Sequence, residues 1–566
     1  MEPVPLHCQA PYLDFGNGRS FLGPKNSGPR IDLFRKPTEL VRQAVETPVG
    51  GSLDHTGPVS TKLQITKLWF SERGAVMEKP ASVFDRHQEW AGLTTFLPAT
   101  GSAAGGATLG VVSGRRRQGK SYLLRALAEA AQGVYFGATE ATEAESIRQF
   151  TRGISQQTGH VPQADVHTWD EAVRHMFASV QGRPRPVVID EFPFLTAASP
   201  ALPSILQREL GPGGSGADSS ARLILCGSAL SVMGKLLSGT APLRGRVGLE
   251  LIIRPFGYRD AAEFWGIGDP RLAMLVHSVV GGTPAYRYEF NRGDVPAGLQ
   301  DFDAWVTRTV LNPQVPLFRE ARYLLSEEPD IRDLALYQSV LAAIAAGNCT
   351  NGGIANYVGR KSAEIAHPLR VLEDCGLIER YPDTFGAKRV QYHISEPLIT
   401  FYEAIMRTRW TALESGRAAQ VWESVQHTFK TQVLGPHFEG ICRAYVRDHD
   451  LEILGEFADR VGNAVVNDPG SRTQIEIDVA VTAAESTARR RVLALGEAKW
   501  GEVISTGHLD RLHRAQWLLN ERKFDTAEAH LMLFSAAGFT EEVQAAAASN
   551  PRLHLVGIED LYLDGI

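Results

Sequence analysis

Two segments of this 566-residue sequence combine residue types that suit chemistry on phosphates. The first reads Gly114-Arg115-Arg116-Arg117-Gln118-Gly119-Lys120-Ser121, with an apolar run before it and helical spacing after it. Its glycines permit a tight turn whose N–H groups face an anion, and the helix start adds a positive dipole end. Lys120 can reach the β- and γ-phosphates, and the Ser121 hydroxyl can ligate Mg²⁺. In this context the pattern predicts ATP binding with Mg²⁺ rather than an incidental glycine turn.

Two acids end a later apolar run and extend this interpretation. Asp190 can hold Mg²⁺ through its waters, and Glu191 can position the attacking water, whereas the alternative is a solvated strand end. Ser228, at the tip of the next apolar run, suits a sensor of the γ-phosphate or the water. Arg244 and Arg246 can supply charge to a γ-phosphate in trans, although surface arginines are usually only solvated.

The second segment lies near the C-terminus. Asp478 lies within an alternating run, residues 473–481, and Glu497 and Lys499 lie two residues apart in another apolar run. Two carboxylates on adjacent strands can hold Mg²⁺ or Mn²⁺, and the lysine can orient or deprotonate a water that attacks a phosphodiester. Glu439, on an amphipathic helix, adds a further carboxylate. The alternative is the solvated polar face of a half-exposed sheet. Charges inside an apolar strand are costly to bury, however, so the pair Glu497 and Lys499 favours a functional site.

The elements that position these residues follow from periodicity. Apolar strands alternate with helices from residue 84 onward, which predicts a doubly wound α/β core with its ligand site at the carboxyl ends of the strands. Residues 475, 477, 479 and 481 are expected to share one face of a later strand. We divide the chain into a partly disordered N-terminal extension (1–80), a P-loop NTPase core (81–254), a helical lid (255–330), a winged helix with bridging helices (331–424) and a C-terminal α/β domain (425–566). Met77 is a candidate for the natural start.

Composition excludes several classes of protein. The net charge of −6 gives no global attraction to nucleic acid or anionic lipid, so such contacts need local patches. The five cysteines are scattered without a Cys-x-x-Cys pair, which argues against a disulfide framework or a zinc site. No signal pattern and no run of 18 apolar residues occurs, so we expect a cytoplasmic protein without a membrane partner.

Together these motifs resemble the archaeal-type P-loop ATPases, near the STAND and AAA+ classes. Further motifs that carry the resemblance are Phe84-Asp85-Arg86, Pro242-Leu243-Arg244-Gly245-Arg246 and Gly281-Gly282-Thr283-Pro284. The tail, with Glu476-Ile477-Asp478 and Gly496-Glu497-Ala498-Lys499-Trp500, resembles a PD-(D/E)XK nuclease-like, or restriction-endonuclease-like, domain. The resemblance implies that Pro284 lies near the adenine and that the winged helix couples lid to tail. Gln118 departs from the apolar residue expected there.

The winged-helix region leaves two roles open. Arg360, Lys361, His367 and Arg370 on its second helix region, with Lys388 and Arg389 on the wing, suit contacts with DNA phosphates. Winged helices also serve as protein-packing modules. The leading hypothesis is an ATPase whose nucleotide state controls a metal-dependent DNA nuclease tail. The alternatives are an ATP-gated DNA-binding switch with a non-cleaving tail and a scaffold in which ATP binding only drives assembly, with a homo-oligomer as the candidate assembly.

Overall fold

The computed structural model describes residues 77–97, 106–182, 184–328, 330–331, 333–386, 390–484 and 490–563. A helix expected over 31–45 and a strand expected over 63–68 lie outside these ranges, as does most of the predicted extension. The wing residues Lys388 and Arg389 lie outside them as well.

The first sheet consists of five parallel strands in the spatial order β2-β3-β4-β1-β5. The strands are β1 (Thr108–Ser113), β2 (Val134–Gly137), β3 (Arg185–Asp190), β4 (Ala221–Gly227) and β5 (Val247–Ile252). The helices around them are α1 (His87–Phe96), α2 (Lys120–Ala130), α3 (Glu143–Thr158), α4 (Trp169–Ala178), α5 (Phe192–Ala198), α6 (Leu202–Glu209) and α7 (Leu230–Leu237). The predicted α/β core with a parallel sheet is therefore confirmed.

The inner strands read as apolar runs because both faces of the sheet are covered. All seven residues of β4 are buried, and neighbouring residues of β1 enter different cores, with Val111 on one side and Val112 on the other. The edge strand β5 alternates half-buried and exposed residues. Sequence analysis missed β5, although the alternation of Val247, Leu249 and Leu251 with Gly248 and Glu250 carries its signal.

Helices follow the first sheet and precede a small hairpin. They are α8 (Tyr258–Trp265), α9 (Pro270–Val280), α10 (Phe302–Arg308) and α11 (Leu317–Ser326). Next come α12 (Leu334–Ala345), α13 (Asn351–Val358), α14 (Ser362–Asp374) and the antiparallel strands β6 (Ile378–Pro382) and β7 (Val390–Ile394). We call residues 334–394 the helix–hairpin module. The sequence predicts helices over 337–346, 354–358 and 362–374 and a hairpin from 376 to 394, and the elements of the structure lie within a few residues of these positions.

Short helices then lead to a second sheet. They are α15 (Pro397–Phe401), α16 (Trp410–Glu414), α17 (Ala418–Ser424), α18 (Gln426–Thr428), α19 (Gly435–Asp448) and α20 (Asp450–Leu454). The strands are β8 (Arg460–Asp468), β9 (Thr473–Thr482), β10 (Val492–Lys499), β11 (His530–Ser535) and β12 (Leu553–Gly557), in the order β12-β11-β10-β9-β8. The remaining helices are α21 (Thr506–Glu521), α22 (Glu541–Ser549) and α23 (Ile558–Tyr562). We call residues 435–562 the C-terminal unit.

The second sheet is mixed and has a different core on each face. The pairs β8–β9 and β9–β10 are antiparallel, whereas β10–β11 and β11–β12 are parallel. One face packs with α21. The other face shares a continuous core with helices from earlier in the chain, which includes Trp265, Trp305 and Phe401 as well as Phe534. The C-terminal unit is therefore packed against the middle helices rather than separated from them.

A bulge in β9 corrects the expectation that residues 475, 477, 479 and 481 share one face. Gly462 of β8 pairs with Ala480, but Ala464 pairs with Ile477, so two β9 residues oppose one β8 residue. Ile475 and Ile477 consequently lie in the core on the α21 side, whereas Val479 and Val481 lie in the core shared with the middle helices. Asp478 lies at the bulge itself.

No helix within the described ranges is both long enough and apolar enough to cross a membrane.

Candidate functional site

The phosphate loop connects β1 to α2 and requires glycine at both ends. Gly114 has φ 149°, and a Cβ there would lie 2.4 Å from the carbonyl oxygen of Ile253. Gly119 has φ 83° and caps the N-terminus of α2, whose first residues are Lys120 and Ser121. Other side chains are strained in this region of φ, so the loop shape depends on these two glycines. The free N–H groups at the start of α2 therefore come directly after the loop, an arrangement that suits an anion.

Lys120 is a buried ammonium at the centre of this loop. Its Nζ donates to the carbonyl oxygen of Arg115 at 2.6 Å. Burial lowers the pKa of Lys120 from its ordinary value, against the opposing charges of Glu191 and Asp190 nearby. A buried ammonium gains most from a charged partner, so a phosphate oxygen would be a stronger acceptor than the loop carbonyl.

Asp190 ends β3 and accepts several hydrogen bonds. Burial alone would raise its pKa, but hydrogen bonds from Ser121, Tyr135 and the main-chain N–H of Glu191 outweigh burial and hold the pKa below its ordinary value. The carboxylate is therefore ionised and in direct contact with the Ser121 hydroxyl. Two hard oxygen donors side by side beneath the phosphate loop fit a hydrated Mg²⁺.

Glu191 adopts an unusual backbone conformation at the end of the same strand. Its φ of 52° and ψ of 41° place it in the left-handed region, which costs a non-glycine residue about 1 kcal/mol or more. Its Oε2 accepts a hydrogen bond from the Ser228 hydroxyl at 3.0 Å. Because β4 lies between β1 and β3, the ends of three neighbouring strands bring Lys120, Asp190 and Ser228 together.

The side chain of Arg115 leaves the loop and enters the helix–hairpin module. Its guanidinium forms a buried ion pair with Glu396 and donates to the carbonyl oxygen of Gly376 at 3.2 Å. Thr283 donates to the same carboxylate at 3.3 Å. Gly376 precedes β6 and Glu396 follows β7, so Arg115 holds the base of the hairpin.

The next two arginines of the loop contact α11 and the residue after it. Arg117 lies 2.8 Å from Oε1 of the buried Glu320 and 3.0 Å from Oε2 of Glu327, and Arg116 lies 3.7 Å from Glu327. Burial raises the pKa of Glu320 to about 8, although Arg117 opposes this shift. The side chains of all three loop arginines thus bind acids of the protein, which leaves their main chain as the part that can line a nucleotide.

The other predicted nucleotide-site residues are Gln118 within the loop, Pro284 next to it, and Arg244 and Arg246 after β4. Pro284 lies within 3.9 Å of the position that a Cβ on Gly119 would take. Gln118 is buried, and its carbonyl oxygen accepts from Arg86, a residue of the motif before α1. Arg244 and Arg246 are exposed, and Arg244 donates to the carbonyl oxygen of Gly239.

The acidic residues of the C-terminal unit also come together. Val479 pairs with Gly496, so Asp478 and Glu497 are neighbours across β9 and β10. Lys499 lies between them, with its Nζ 3.3 Å from Asp478 and 3.0 Å from Glu497. Asp478 also accepts from the main-chain N–H of Ala498 at 2.9 Å. Burial opposes protonation of Lys499, but the two carboxylates outweigh it and raise the pKa of this ammonium.

Glu439 and Arg443, one turn apart on α19, border this cluster. Burial, reinforced by the charge of Asp478, raises the pKa of Glu439 to about 7. Arg443 donates to the carbonyl oxygen of Asp478 at 2.8 Å and lies 4.0 Å from Glu439. The helix thus anchors the main chain of the bulge and adds a third carboxyl group next to it.

The cluster fits a divalent cation through two carboxylates rather than a larger ligand set. Within the described part of the chain, no group of three or more His, Cys, Asp or Glu side chains has metal-binding geometry. Glu497 is fully buried, and its Oε2 has no hydrogen-bond partner among the described residues. A buried carboxylate oxygen without a partner is costly, and a hard cation would satisfy it.

The helix–hairpin module presents different surfaces at α14 and at its hairpin. Arg360, Lys361, His367 and Arg370 are exposed, and their contact with DNA phosphates stays a prediction. The far end of the hairpin instead packs on the C-terminal unit. There Thr384 donates to the carbonyl oxygen of Asn463 at 3.1 Å, and Asn463 donates to the side chain of Gln391 at 2.8 Å.

Several residues of these sites escaped sequence analysis. Tyr135, the second residue of β2, donates to Asp190, and no local pattern indicates this contact. Asn463 opposes the β9 bulge and binds the hairpin, which no local pattern indicates. Arg511 lies 3.2 Å from Glu497, although it is on α21, fourteen positions further along the chain.

Comparisons with known proteins give remote matches. No protein-family model matches the chain. An uncharacterized protein of Methanocaldococcus jannaschii is 27% identical over 310 residues, which cover 54% of this chain and 66%, just under two thirds, of that protein. Among solved structures, the Walker-type ATPase PABY2304 of Pyrococcus abyssi is 19% identical with a TM-score of 0.43, covering 58% of this chain and 97% of that chain. The ORC2 protein of Aeropyrum pernix, in ADPNP–ADP complexes, is 14% identical with a TM-score of 0.37, covering 62% and 97%. The assignment of an α/β core with a phosphate loop is based on the sheet order and the loop geometry of this chain, not on these matches.

Proposed function

We propose that this protein is a Mg²⁺-dependent ATPase whose nucleotide state controls a metal-dependent DNA nuclease site in the C-terminal unit. The observation that carries the proposal is the convergence of Lys120, Ser121, Asp190 and Glu191 at the ends of neighbouring parallel strands. Each of these residues has the chemistry that phosphoryl transfer from ATP needs, and each lies at the edge of the sheet where ligands bind in such folds.

In the proposed ATPase reaction, the main-chain N–H groups of the loop and Lys120 bind the β- and γ-phosphates. Ser121 and Asp190 hold Mg²⁺, which neutralises charge on the phosphate oxygens when bound. Glu191 orients the water whose oxygen forms a bond to the γ-phosphorus while the bond to the ADP oxygen breaks. The hydrogen bond from Ser228 fixes the Glu191 carboxylate until substrate is in place.

In the proposed nuclease reaction, Asp478 and Glu497 hold Mg²⁺ or Mn²⁺. The ion supplies Lewis acidity at the scissile phosphate when bound. Lys499 orients the attacking water, and Glu439 borders the same space. DNA would reach the protein through the exposed basic side chains of α14, which the proposal assigns to a winged helix.

The hairpin β6–β7 supports control of one site by the other. Its base is held by Arg115 of the phosphate loop through Gly376 and Glu396. Its far end is bonded to Asn463, which opposes the bulge that carries Asp478. A single two-stranded element therefore contacts the neighbourhoods of both sites.

A second candidate is an ATP-gated DNA-binding switch with a tail that does not cleave. It is favoured by the charge balance at the second site, where Lys499 and Arg511 already neutralise Asp478 and Glu497. In that case the ion pairs are structural. A scaffold that ATP assembles into homo-oligomers is a third possibility, with the exposed Arg244 available to a neighbouring copy.

One experiment separates these functions. Plasmid and linear DNA are incubated with the full chain, with and without ATP, in Mg²⁺ or Mn²⁺, beside the variants Lys120→Ala and Asp478→Ala. If the proposal is correct, the wild-type chain cleaves DNA. Asp478→Ala should abolish this cleavage and leave ATP hydrolysis intact. Lys120→Ala should make the cleavage insensitive to ATP. Glu541→Ala, at an exposed acid on α22, is the matched control. Nucleotide-dependent DNA binding without cleavage under every condition would favour the switch.

A further inference from the structure

Arg511 connects the buried acid of the second site to the protein surface. It lies on α21, which packs on the face of the second sheet that includes Leu495. Its Nη1 lies 3.2 Å from Oε1 of Glu497, whose side chain is 0% exposed, while the side chain of Arg511 is 48% exposed. One side of the guanidinium therefore contacts the site and the other side faces solvent.

The charges around Glu497 balance only while no metal is bound. Asp478 and Glu497 carry two negative charges, and Lys499 and Arg511 carry two positive charges. A divalent cation on the two carboxylates would leave two positive charges in excess. A phosphodiester approaching the metal carries one negative charge and would remove half of this excess.

The two cations differ in how firmly they are held. Lys499 contacts both carboxylates and also donates to the carbonyl oxygen of Ala498 at 3.2 Å, so it stays within the site. Arg511 has an ion pair with Glu497 alone among the described residues. Its planar fork of donors suits two oxygens of one phosphate, a geometry that an ammonium cannot match.

We propose that Arg511 binds a backbone phosphate of DNA beside the metal site. It pairs with Glu497 in the metal-free protein and transfers to the phosphate when the metal takes the carboxylate. This inference rests on the proposed nuclease function, because it requires both a divalent metal and DNA at this site.

The test measures binding of a fluorescent DNA duplex to the full chain in Ca²⁺, which prefers the same oxygen ligands, and in EDTA. The variants are Arg511→Ala and Arg511→Lys. Arg514→Ala is the matched control, since Arg514 lies on the same helix but pairs with Asp468 at 2.8 Å. Metal affinity is measured separately by calorimetry without DNA.

With Ca²⁺ we expect Arg511→Ala to weaken DNA binding roughly 10- to 100-fold, the range for a lost charged hydrogen bond. The log–log salt slope should fall by about 0.9, for one phosphate contact. In EDTA the variant should bind like wild type, because Arg511 is then occupied by Glu497. Arg511→Lys should keep the salt slope with weaker affinity, and metal affinity should be unchanged or higher in Arg511→Ala.

Equal losses with Ca²⁺ and in EDTA, or an unchanged salt slope, would overturn the role of Arg511 while the nuclease proposal stands. Loss of metal binding in Arg511→Ala would instead make Arg511 a structural partner of Glu497. A wild-type chain that binds no divalent metal at the second site would overturn both proposals, and calorimetry on wild type alone distinguishes that outcome.

Discussion

Replacing Glu396 by Gln probes the contact between the phosphate loop and the hairpin base. The ion pair with Arg115 is almost completely buried, with side chains 6% and 1% exposed. Removing one charge leaves an uncompensated buried guanidinium, which typically costs about 3–5 kcal/mol. We expect Glu396→Gln to lower the free energy of unfolding by an amount in that range.

A double-mutant cycle isolates the pair from the rest of the structure. Arg115→Met leaves the Glu396 carboxylate without its cation, and the double variant leaves neither charge. Because both charges are then absent, the double variant should be much more stable than the sum of the single losses predicts, by about 2 kcal/mol or more. Urea unfolding followed by tryptophan fluorescence gives the four free energies, provided that the m-values agree.

An exposed pair gives the matched control for this cycle. Arg148 and Glu145 are 59% and 41% exposed, so Glu145→Gln should leave the free energy of unfolding close to that of wild type. Single losses at Arg115 and Glu396 that add within about 0.5 kcal/mol would refute the buried coupling and with it the proposed link between the loop and the hairpin.

Three further predictions concern the ATP site, the buried Glu328 that follows α11, and the contact of the hairpin with Asn463. Lys120→Ala should abolish nucleotide binding, whereas Glu191→Gln should retain binding and slow hydrolysis roughly 10²–10⁴-fold. Equilibrium binding measures the first effect and phosphate release measures the second. Normal turnover in Glu191→Gln would exclude Glu191 from orienting the attacking water. Burial raises the pKa of Glu328 to about 7, so the carboxyl group is more easily ionised in the unfolded chain than in the folded one. As pH rises from about 4.5 through 7, the free energy of unfolding of wild type should therefore fall relative to that of Glu328→Gln, by about 3 kcal/mol in total. A difference in urea unfolding that does not depend on pH would contradict this. Asn463→Ala should leave ATP hydrolysis near wild type but remove the effect of ATP on DNA cleavage, and cleavage that stays ATP-sensitive would exclude this contact from the coupling.

The sequence predicted those parts of the sites that are built locally. The phosphate loop needs glycines at fixed positions and a helix start, and both are visible in eight consecutive residues. The ends of parallel strands meet at one edge, so the approach of Asp190 to Ser121 followed from the expected sheet. Long-range partners carry no such signal. Arg115 and Glu396 are 281 positions apart, and only the folded chain shows that they meet.

The second site shows where periodicity misleads. Strict alternation in β9 predicted a single apolar face, but the bulge at Asp478 moves Val479 and Val481 to the opposite core. Both faces of this sheet are buried, so apolar residues are acceptable on either side and the sequence does not reveal the switch. The bulge matters for the site because it presents the Asp478 carboxylate to the N–H of Ala498 and to Lys499.

In the proposed coupling, Arg115 connects the nucleotide site to the hairpin. A ligand shifts a conformational equilibrium only through contacts that differ between the two states. Here the carbonyl oxygen of Arg115 accepts from Lys120, while its guanidinium holds Glu396 and Gly376. A phosphate that takes the ammonium of Lys120 removes a hydrogen bond from the same residue that anchors the hairpin. The main chain of Arg115 is then free to shift, and its guanidinium must move with it or release the hairpin base. Since the far end of that hairpin is bonded opposite the Asp478 bulge, we expect the first structural consequence of the proposed ATP binding to fall on an element that reaches the second site.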